Sequence, residues 1–353
     1  MAEETVTAVR DPEEVKKDFR KTAFKVGLFF VISFVLRYIA KYTGAAINDA
    51  LTDSLGYTER YIIRLSISGT FLQILPAVIG AFMFGWVGKN GTGIKPHYRI
   101  PKSNTRALGN FPAIYGAGAS LNLQTIIITY ILTKGADLTN RVNVVTPALT
   151  GGMGCALALC FVAVCIAPVF EEFVYRGVLL SALKPYGNGL AIFTTGIMFG
   201  LAHANFEQMF YAAAIGICLG YIADVTDSVF PTTILHLMVN SVAAIQILFL
   251  TSDPVQNFIF SGMRGDIPDS DMFCLAVFGI FMISLFILII AGIVSFAAKM
   301  KQIKKYKVPK VCTEIRNSRK VLILMTTLTV ILSLLMVADT VLGISAGIIG
   351  VDV

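Results

Sequence analysis

Long apolar runs constrain this chain more than any other feature of its sequence. Seven runs are near or above the roughly 20 residues that an α-helix needs to cross the hydrocarbon layer of a bilayer. They cover residues 22–40, 62–88, 107–133, 145–170, 229–250, 272–298 and 320–346. Only 14% of the 353 residues are charged, against about 25% in a soluble domain. The sequence therefore predicts an all-α polytopic membrane protein.

The charges between these runs predict how the helices cross the bilayer. Segment 89–106 carries five basic residues and no acidic one, and segment 299–320 carries nine basic residues and one glutamate. Short loops of this kind stay in the cytoplasm, whereas loop 251–271 has four aspartates against one arginine and is expected outside. Together with two shorter segments, at about 189–204 and 207–224, these loops predict a bundle of about eight or nine transmembrane helices. The excess of basic residues beside spans also argues against nucleic-acid binding, despite the net charge of +7.

One run, "PVFEEFVYRGVLL" at residues 168–180, contains Glu171, Glu172 and Arg176. Each ionised side chain at the centre of a bilayer costs roughly 2.5–3.5 kcal/mol on the lenient insertion scale. Two histidines, His203 and His236, also lie in apolar surroundings. Ionisable residues inside a membrane usually mark a functional site, so these five residues are candidates.

Distances along the helices predict that the candidates meet. Glu171 precedes the polar turn "KPYGNG" and His203 follows it, each by a rise of roughly 22–26 Å along its helix. His236 and Asn240 lie roughly 15–21 Å beyond the next polar turn, "DVTDS". Three helices are therefore expected to bring a carboxylate pair, two imidazoles and an amide to one depth.

The spacing within each helix agrees with a built site. Glu172 and Arg176 are four residues apart in the order that favours an ion pair on a helix, and His236 and Asn240 share a face for the same reason. A purely structural interpretation is that Glu172 and Arg176 neutralise each other while the histidines bond to neighbouring helices. That interpretation leaves Glu171 without a cation.

Two further features predict local helix geometry. Pro168 lacks an N–H group, so it removes a helix hydrogen bond just before Glu171 and leaves room for a kink. Residues 196–200 and 216–220 each contain Gly-x-x-x-Gly, a pattern typical of closely packed helices in membranes.

The predicted cluster can support peptide-bond hydrolysis in either of two ways. A carboxylate and a histidine around one water form a general base, while a second histidine and an asparagine can donate to the oxyanion that develops on the attacked carbonyl. Alternatively, Glu171, His203 and His236 can hold a Zn²⁺ ion with water in the fourth position. The sequence does not separate these routes.

At these residues the chain resembles the CPBP family of intramembrane proteases, which includes the type II CAAX prenyl endopeptidases. The family pattern is Glu-Glu-x-x-x-Arg, then Phe-x-x-x-His, then His-x-x-x-Asn. It is matched in order by "EEFVYR" at 171–176, "FGLAH" at 199–203 and "HLMVN" at 236–240. The resemblance implies that Glu171 and His203 activate water and that His236 and Asn240 hold the oxyanion. Glu172 and Arg176 would then support the site.

This resemblance and the apolar runs together divide the chain into four regions. Residues 1–21 are expected to form a cytoplasmic tail, 22–144 N-terminal transmembrane helices, 145–250 the catalytic membrane core, and 251–353 a loop and two more transmembrane helices. The expected partners are the lipid bilayer of the cell membrane and a substrate. The substrate is expected to be a peptide or protein, and lipidated peptides and proteins are among the candidates. The alternatives are a non-catalytic immunity or sensor protein that binds a bacteriocin-like peptide and, third, a transporter.

Overall fold

A computed structural model describes residues 11–85, 100, 104–132, 151–203, 206–260, 267–303 and 315–325. Within these residues the chain forms only helices and the turns between them. The helices are α1 (Pro12–Ala50), α2 (Tyr57–Met83), α3 (Asn104–Leu108), α4 (Phe111–Leu132), α5 (Gly152–Tyr186), α6 (Asn188–Leu201), α7 (Phe206–Thr226), α8 (Phe230–Thr251), α9 (Asp253–Phe260), α10 (Asp269–Ile303) and α11 (Asn317–Met325).

Seven of these helices contain a stretch long and apolar enough to cross a membrane, namely α1, α2, α4, α5, α7, α8 and α10. The predicted all-α polytopic membrane protein is therefore confirmed. The fourteen residues of α6 rise only about 21 Å, less than the roughly 30 Å of a bilayer core. Most of the predicted last span, 320–346, lies outside the described residues, as do most of basic segment 89–106 and half of basic segment 299–320. The crossing order that rests on them stays a prediction.

The two polar turns from which the depths of the candidate residues were predicted, "KPYGNG" and "DVTDS", are both present. Lys184–Tyr186 forms a single 3₁₀ turn, and Gly187 follows with φ of 141°, a conformation that glycine adopts far more readily than other residues. The second turn lies between the end of α7 and the start of α8 and contains Asp227 with φ of 47°. Helices α5, α6, α7 and α8 therefore run in alternating directions, as expected if the candidate residues are to lie at one depth.

Close contact between α6 and α7 depends on their glycines. A Cβ atom at Gly196 would lie 2.5 Å from Ile217 Cγ1, and one at Gly216 would lie 3.0 Å from the carbonyl oxygen of Gly196. Real Cβ atoms essentially never approach as closely as the first distance and rarely as closely as the second, so glycine permits this contact, and the packing predicted from the two Gly-x-x-x-Gly patterns is confirmed. The tight pair sets the position of His203, which follows the end of α6.

Three stretches of π-helix interrupt the long helices near the candidate site. One covers Thr70–Ile74 in α2, one covers Val162–Ile166 in α5, and one covers Phe173–Leu180, also in α5. The first two end two residues before Pro76 and Pro168. A proline cannot donate to the carbonyl one turn earlier, and its ring crowds that carbonyl, so the helix widens there. Such π segments are frequent at functional sites.

Candidate active site

The carboxylate pair and the arginine lie where α5 passes from α-helix into its second π segment. Glu172 ends the α-helical stretch Ala167–Glu172, and Arg176 belongs to the π segment that follows. Glu172 is completely buried and Arg176 is 2% exposed. Burial of this kind requires a partner, because an unpaired charge taken out of water costs several kcal/mol.

That partner is present as the ion pair expected from the sequence. Arg176 Nη1 donates to Glu172 Oε1 over 2.8 Å, and Arg176 Nη2 donates to the carbonyl oxygen of Gly216 over 3.1 Å. The guanidinium also lies 4.7 Å from the centre of the Phe199 ring, a distance at which a cation and an aromatic face attract. Arg176 therefore links α5 to α6 and α7.

His236, on α8, bridges the two glutamates. Its Nδ1 lies 2.9 Å from Glu172 Oε1, and its Nε2 lies 3.7 Å from Glu171 Oε2. An ionised carboxylate can only accept, so Nδ1 of His236 carries the hydrogen and donates it to Glu172. The second distance exceeds that of a direct hydrogen bond.

Glu171 has a partner that was not expected. Gln73, in the π segment of α2, donates from Nε2 to Glu171 Oε1 over 2.8 Å. The Glu171 side chain is 19% exposed, whereas that of Glu172 is 0% exposed. The two adjacent carboxylates thus occupy different surroundings, one lining a cavity and the other sealed behind it.

His203 is fixed by the helix that precedes it. Its Nδ1 lies 2.8 Å from the carbonyl oxygen of Phe199, and since a carbonyl only accepts, Nδ1 carries the hydrogen. In the neutral ring the lone pair is then on Nε2. Glu171 is near enough for its charge to act on His203.

Asn240, one turn beyond His236 on α8, binds the first π segment of α5. Its Nδ2 donates to the carbonyl oxygen of Ala163 over 2.8 Å. Each of the three π segments therefore contributes to the cluster, the others through Gln73 and Arg176. The predicted kink before Glu171 takes the form of this π segment ahead of Pro168.

Phe199 is the aromatic centre of the site. Its ring meets His203, His236 and Tyr175 edge to face, with centroids 5.0, 5.5 and 5.1 Å apart, the arrangement that aromatic pairs prefer. With 2% of its surface exposed, Phe199 holds the two imidazoles at fixed angles.

A cavity of about 410 Å³ connects these groups. Glu171, His203, His236 and Asn240 all line it. Glu172 and Arg176 do not, because they lie behind His236 and Phe199. The predicted site residues are thus divided into four that face the cavity and two that support them.

The cavity also has a wall that the sequence analysis missed. Helix α1 contributes Arg37 together with aromatic residues, and helix α2 contributes Gln73. Each is a polar residue inside an apolar run, which was the available signal, but their partners lie 165 and 98 positions away along the chain. No spacing rule pairs residues at such separations.

The zinc alternative can be tested against the same geometry. Among the residues that the structure describes, no three His, Cys, Asp or Glu side chains lie close enough to hold a metal ion together. Glu171, His203 and His236 are all described. Their arrangement does not fit a three-ligand zinc site.

Residues 153–242 match the family model for type II CAAX prenyl endopeptidase, Rce1-like. This segment contains all six predicted site residues but neither α1 nor α2. No curated protein and no solved structure matches the chain.

Proposed function

We propose that the protein is an intramembrane endopeptidase, from the premise that residues 153–242 match the family model for type II CAAX prenyl endopeptidase, Rce1-like. It hydrolyses a peptide bond of a membrane-associated peptide or protein by means of an activated water. The observation that carries this proposal is the convergence of Glu171, His203, His236 and Asn240 on one cavity inside a helical bundle.

Glu171 is the group best suited to activate the water. One of its oxygens is engaged by Gln73, while the other lies 3.7 Å from Nε2 of His236. Because Glu171 also lines the cavity, a water in the cavity can reach this carboxylate. Glu171 removes a proton from that water, and the water oxygen attacks the carbonyl carbon of the peptide. His203 assists through Nε2, because its Nδ1 is already committed to Phe199. Proton transfer of this kind typically contributes 10²–10⁴-fold to a rate.

His236 and Asn240 are placed to hold the oxyanion that forms on the attacked carbonyl. With Nδ1 donating to Glu172, the imidazolium form of His236 donates from Nε2 to the oxyanion. The amide of Asn240 has two N–H groups, of which one is used on Ala163. When the intermediate collapses, the carbon–nitrogen bond breaks, and the departing amine takes the proton first removed from water.

Glu172 and Arg176 act through His236. Their ion pair fixes the oxygen that accepts from His236 Nδ1 and thus holds the ring in one orientation. Taking both charges of a fully buried ion pair out of water costs free energy. We therefore assign this pair a role beyond helix packing, which is to hold His236.

The substrate that follows from the family description is a CAAX peptide with a prenylated cysteine. Purified protein in detergent is incubated with a quenched fluorescent peptide ending in that motif, and its products are identified by mass spectrometry. The unprenylated peptide and a mixed peptide library are tested in parallel. Cleavage of any of these supports an endopeptidase, and cleavage of the prenylated peptide alone supports the narrower substrate. Binding of the peptides without any product would favour a non-catalytic peptide-binding protein.

A further inference from the structure

Two polar residues of the N-terminal helices reach the cavity from outside the matched domain. Gln73 belongs to α2 and Arg37 to α1, and both line the cavity. Arg37 lies in the apolar run 22–40 and Gln73 in the run 62–88. A charged residue in a membrane helix is rarely retained without a partner or a function, so the bonds that each residue makes indicate its role.

Gln73 bonds directly to the proposed general base. A carboxylate is free to rotate about its last side-chain bond, which has broad minima. The bond from Gln73 Nε2 to Glu171 Oε1, 2.8 Å long, fixes that rotation and directs Oε2 toward His236. The π segment at Thr70–Ile74 is the local feature that carries Gln73.

Arg37 bonds to the backbone next to His203, the residue proposed to assist Glu171 in activating the water. Its Nη2 donates to the carbonyl oxygen of Ala202, which follows the end of α6 and immediately precedes His203. The last carbonyls of a helix have no partner within it, and a cation at that end also suits the helix dipole. Arg37 lies near enough to His203 and Tyr175 for its charge to act on both.

The geometry points to Gln73 and Arg37 as positioning residues, the first for Glu171 and the second for His203. Helices α1 and α2 are then part of the catalytic apparatus of this protein and not only its scaffold. This inference rests on the proposed function, since it assigns the two residues to the proposed proton-transfer groups.

For Gln73 the test is a pair of substitutions with a control in the same π segment. Gln73→Met removes the donor at similar length, and Gln73→Leu removes it at similar volume, so neither adds a charge beside Glu171. Either is expected to lower kcat on the order of 10–100-fold, since misplacing a reacting group by about 1 Å has effects of that size. KM stays within about twofold and the melting temperature is nearly unchanged. Thr70→Val is the control, because its exposed hydroxyl bonds only to Ser66, and it leaves both constants unchanged.

For Arg37 the variants are Arg37→Met and Arg37→Lys. The first removes the donor to Ala202 and is expected to lower kcat by a similar factor, while the second restores a cation with N–H donors and recovers part of the loss. Lys41→Met, an exposed cation one turn later on α1, serves as the control. Loss of kcat in Arg37→Met without recovery in Arg37→Lys would contradict a role that depends on the donor.

Glu171→Gln, assayed in parallel on the prenylated CAAX peptide, separates the two proposals. If this variant is inactive while Gln73→Met and Arg37→Met keep the kcat of the wild type, the positioning inference alone is wrong. If Glu171→Gln cleaves normally, the proposed function is wrong.

A second readout does not depend on turnover. Thermal unfolding is measured for Gln73→Met, Glu171→Met and the double variant, because methionine at either position removes the hydrogen bond. A real contact makes their effects non-additive, whereas additive effects would overturn the contact even if no substrate is cleaved.

Discussion

Nδ1 of His236 lies 2.9 Å from Oε1 of Glu172, across 64 positions of the sequence. The same oxygen accepts from Arg176, so one buried atom fixes both the arginine and the histidine. The histidine on α8 is thereby tied to the helix that carries both glutamates.

Replacing His236 tests this link. His236→Ala is expected to lower kcat about 10²–10³-fold, as the loss of an oxyanion donor does. It should also lower the free energy of unfolding by about 1–3 kcal/mol, because Glu172 loses one of its donors. Steady-state kinetics and chemical unfolding of the purified variant give both values. Full activity in His236→Ala would remove the oxyanion role.

Arg176→Ala should damage folding as well as activity. Glu172 would lose its only ion-pair partner among the described lysine and arginine side chains at a completely buried position, and breaking one side of a buried ion pair costs about 3–5 kcal/mol. The melting temperature in detergent measures the effect. As a matched control, Lys16→Ala breaks the exposed pair of Lys16 with Glu13 and should change stability by less than about 1 kcal/mol. An inactive Arg176→Ala variant with the stability of the wild type would contradict the supporting role.

Asn240→Leu should lower kcat more than it raises KM, since an oxyanion donor acts mainly in the transition state. The expected loss is again about 10²-fold or more. Ser241→Ala is a suitable control, because the neighbouring hydroxyl only returns a hydrogen bond to its own helix, at Leu237. A variant of Asn240 that changes KM alone would assign this amide to substrate binding.

The orientation of the protein in the membrane also remains to be tested. In a background without native cysteines, a single cysteine in loop 251–271 should react with an impermeant maleimide in intact cells. One placed in segment 89–106 should not react until the cells are opened. The opposite pattern would invert the protein and place the start of α8 near the outer face. The site itself would be unchanged by that result.

Much of this site can be predicted from the sequence because its residues are regularly spaced along their helices. The pair of Glu172 and Arg176 follows from a four-residue separation on one helix, and the common depth of Glu171 and His203 follows from their distances to one turn. The histidine bridge to Glu172 could not be read this way, because it depends on the rotation of α8 about its own axis. The spacing of residues along a helix predicts how deep they lie in the membrane far better than it predicts how the helix is rotated about its axis.

The missed residues have a similar physical cause. Gln73 and Arg37 are conspicuous as polar residues in apolar runs, yet nothing local identifies what they bind. The π segments add to this difficulty, since the extra residue in each turn changes which side chains face inward. Pro168 signalled an irregular helix but not its form.

The activity of Glu171→Gln tests most directly whether Glu171 activates the water that hydrolyses the peptide bond. The change keeps an oxygen that can accept from Gln73, and at 19% exposure the site tolerates an amide, so the melting temperature should stay near that of the wild type. The amide cannot remove a proton from water. Glu171→Gln is expected to lose peptide cleavage by at least about 10²-fold while it stays stable and folded. Cleavage at the rate of the wild type would contradict this role of Glu171.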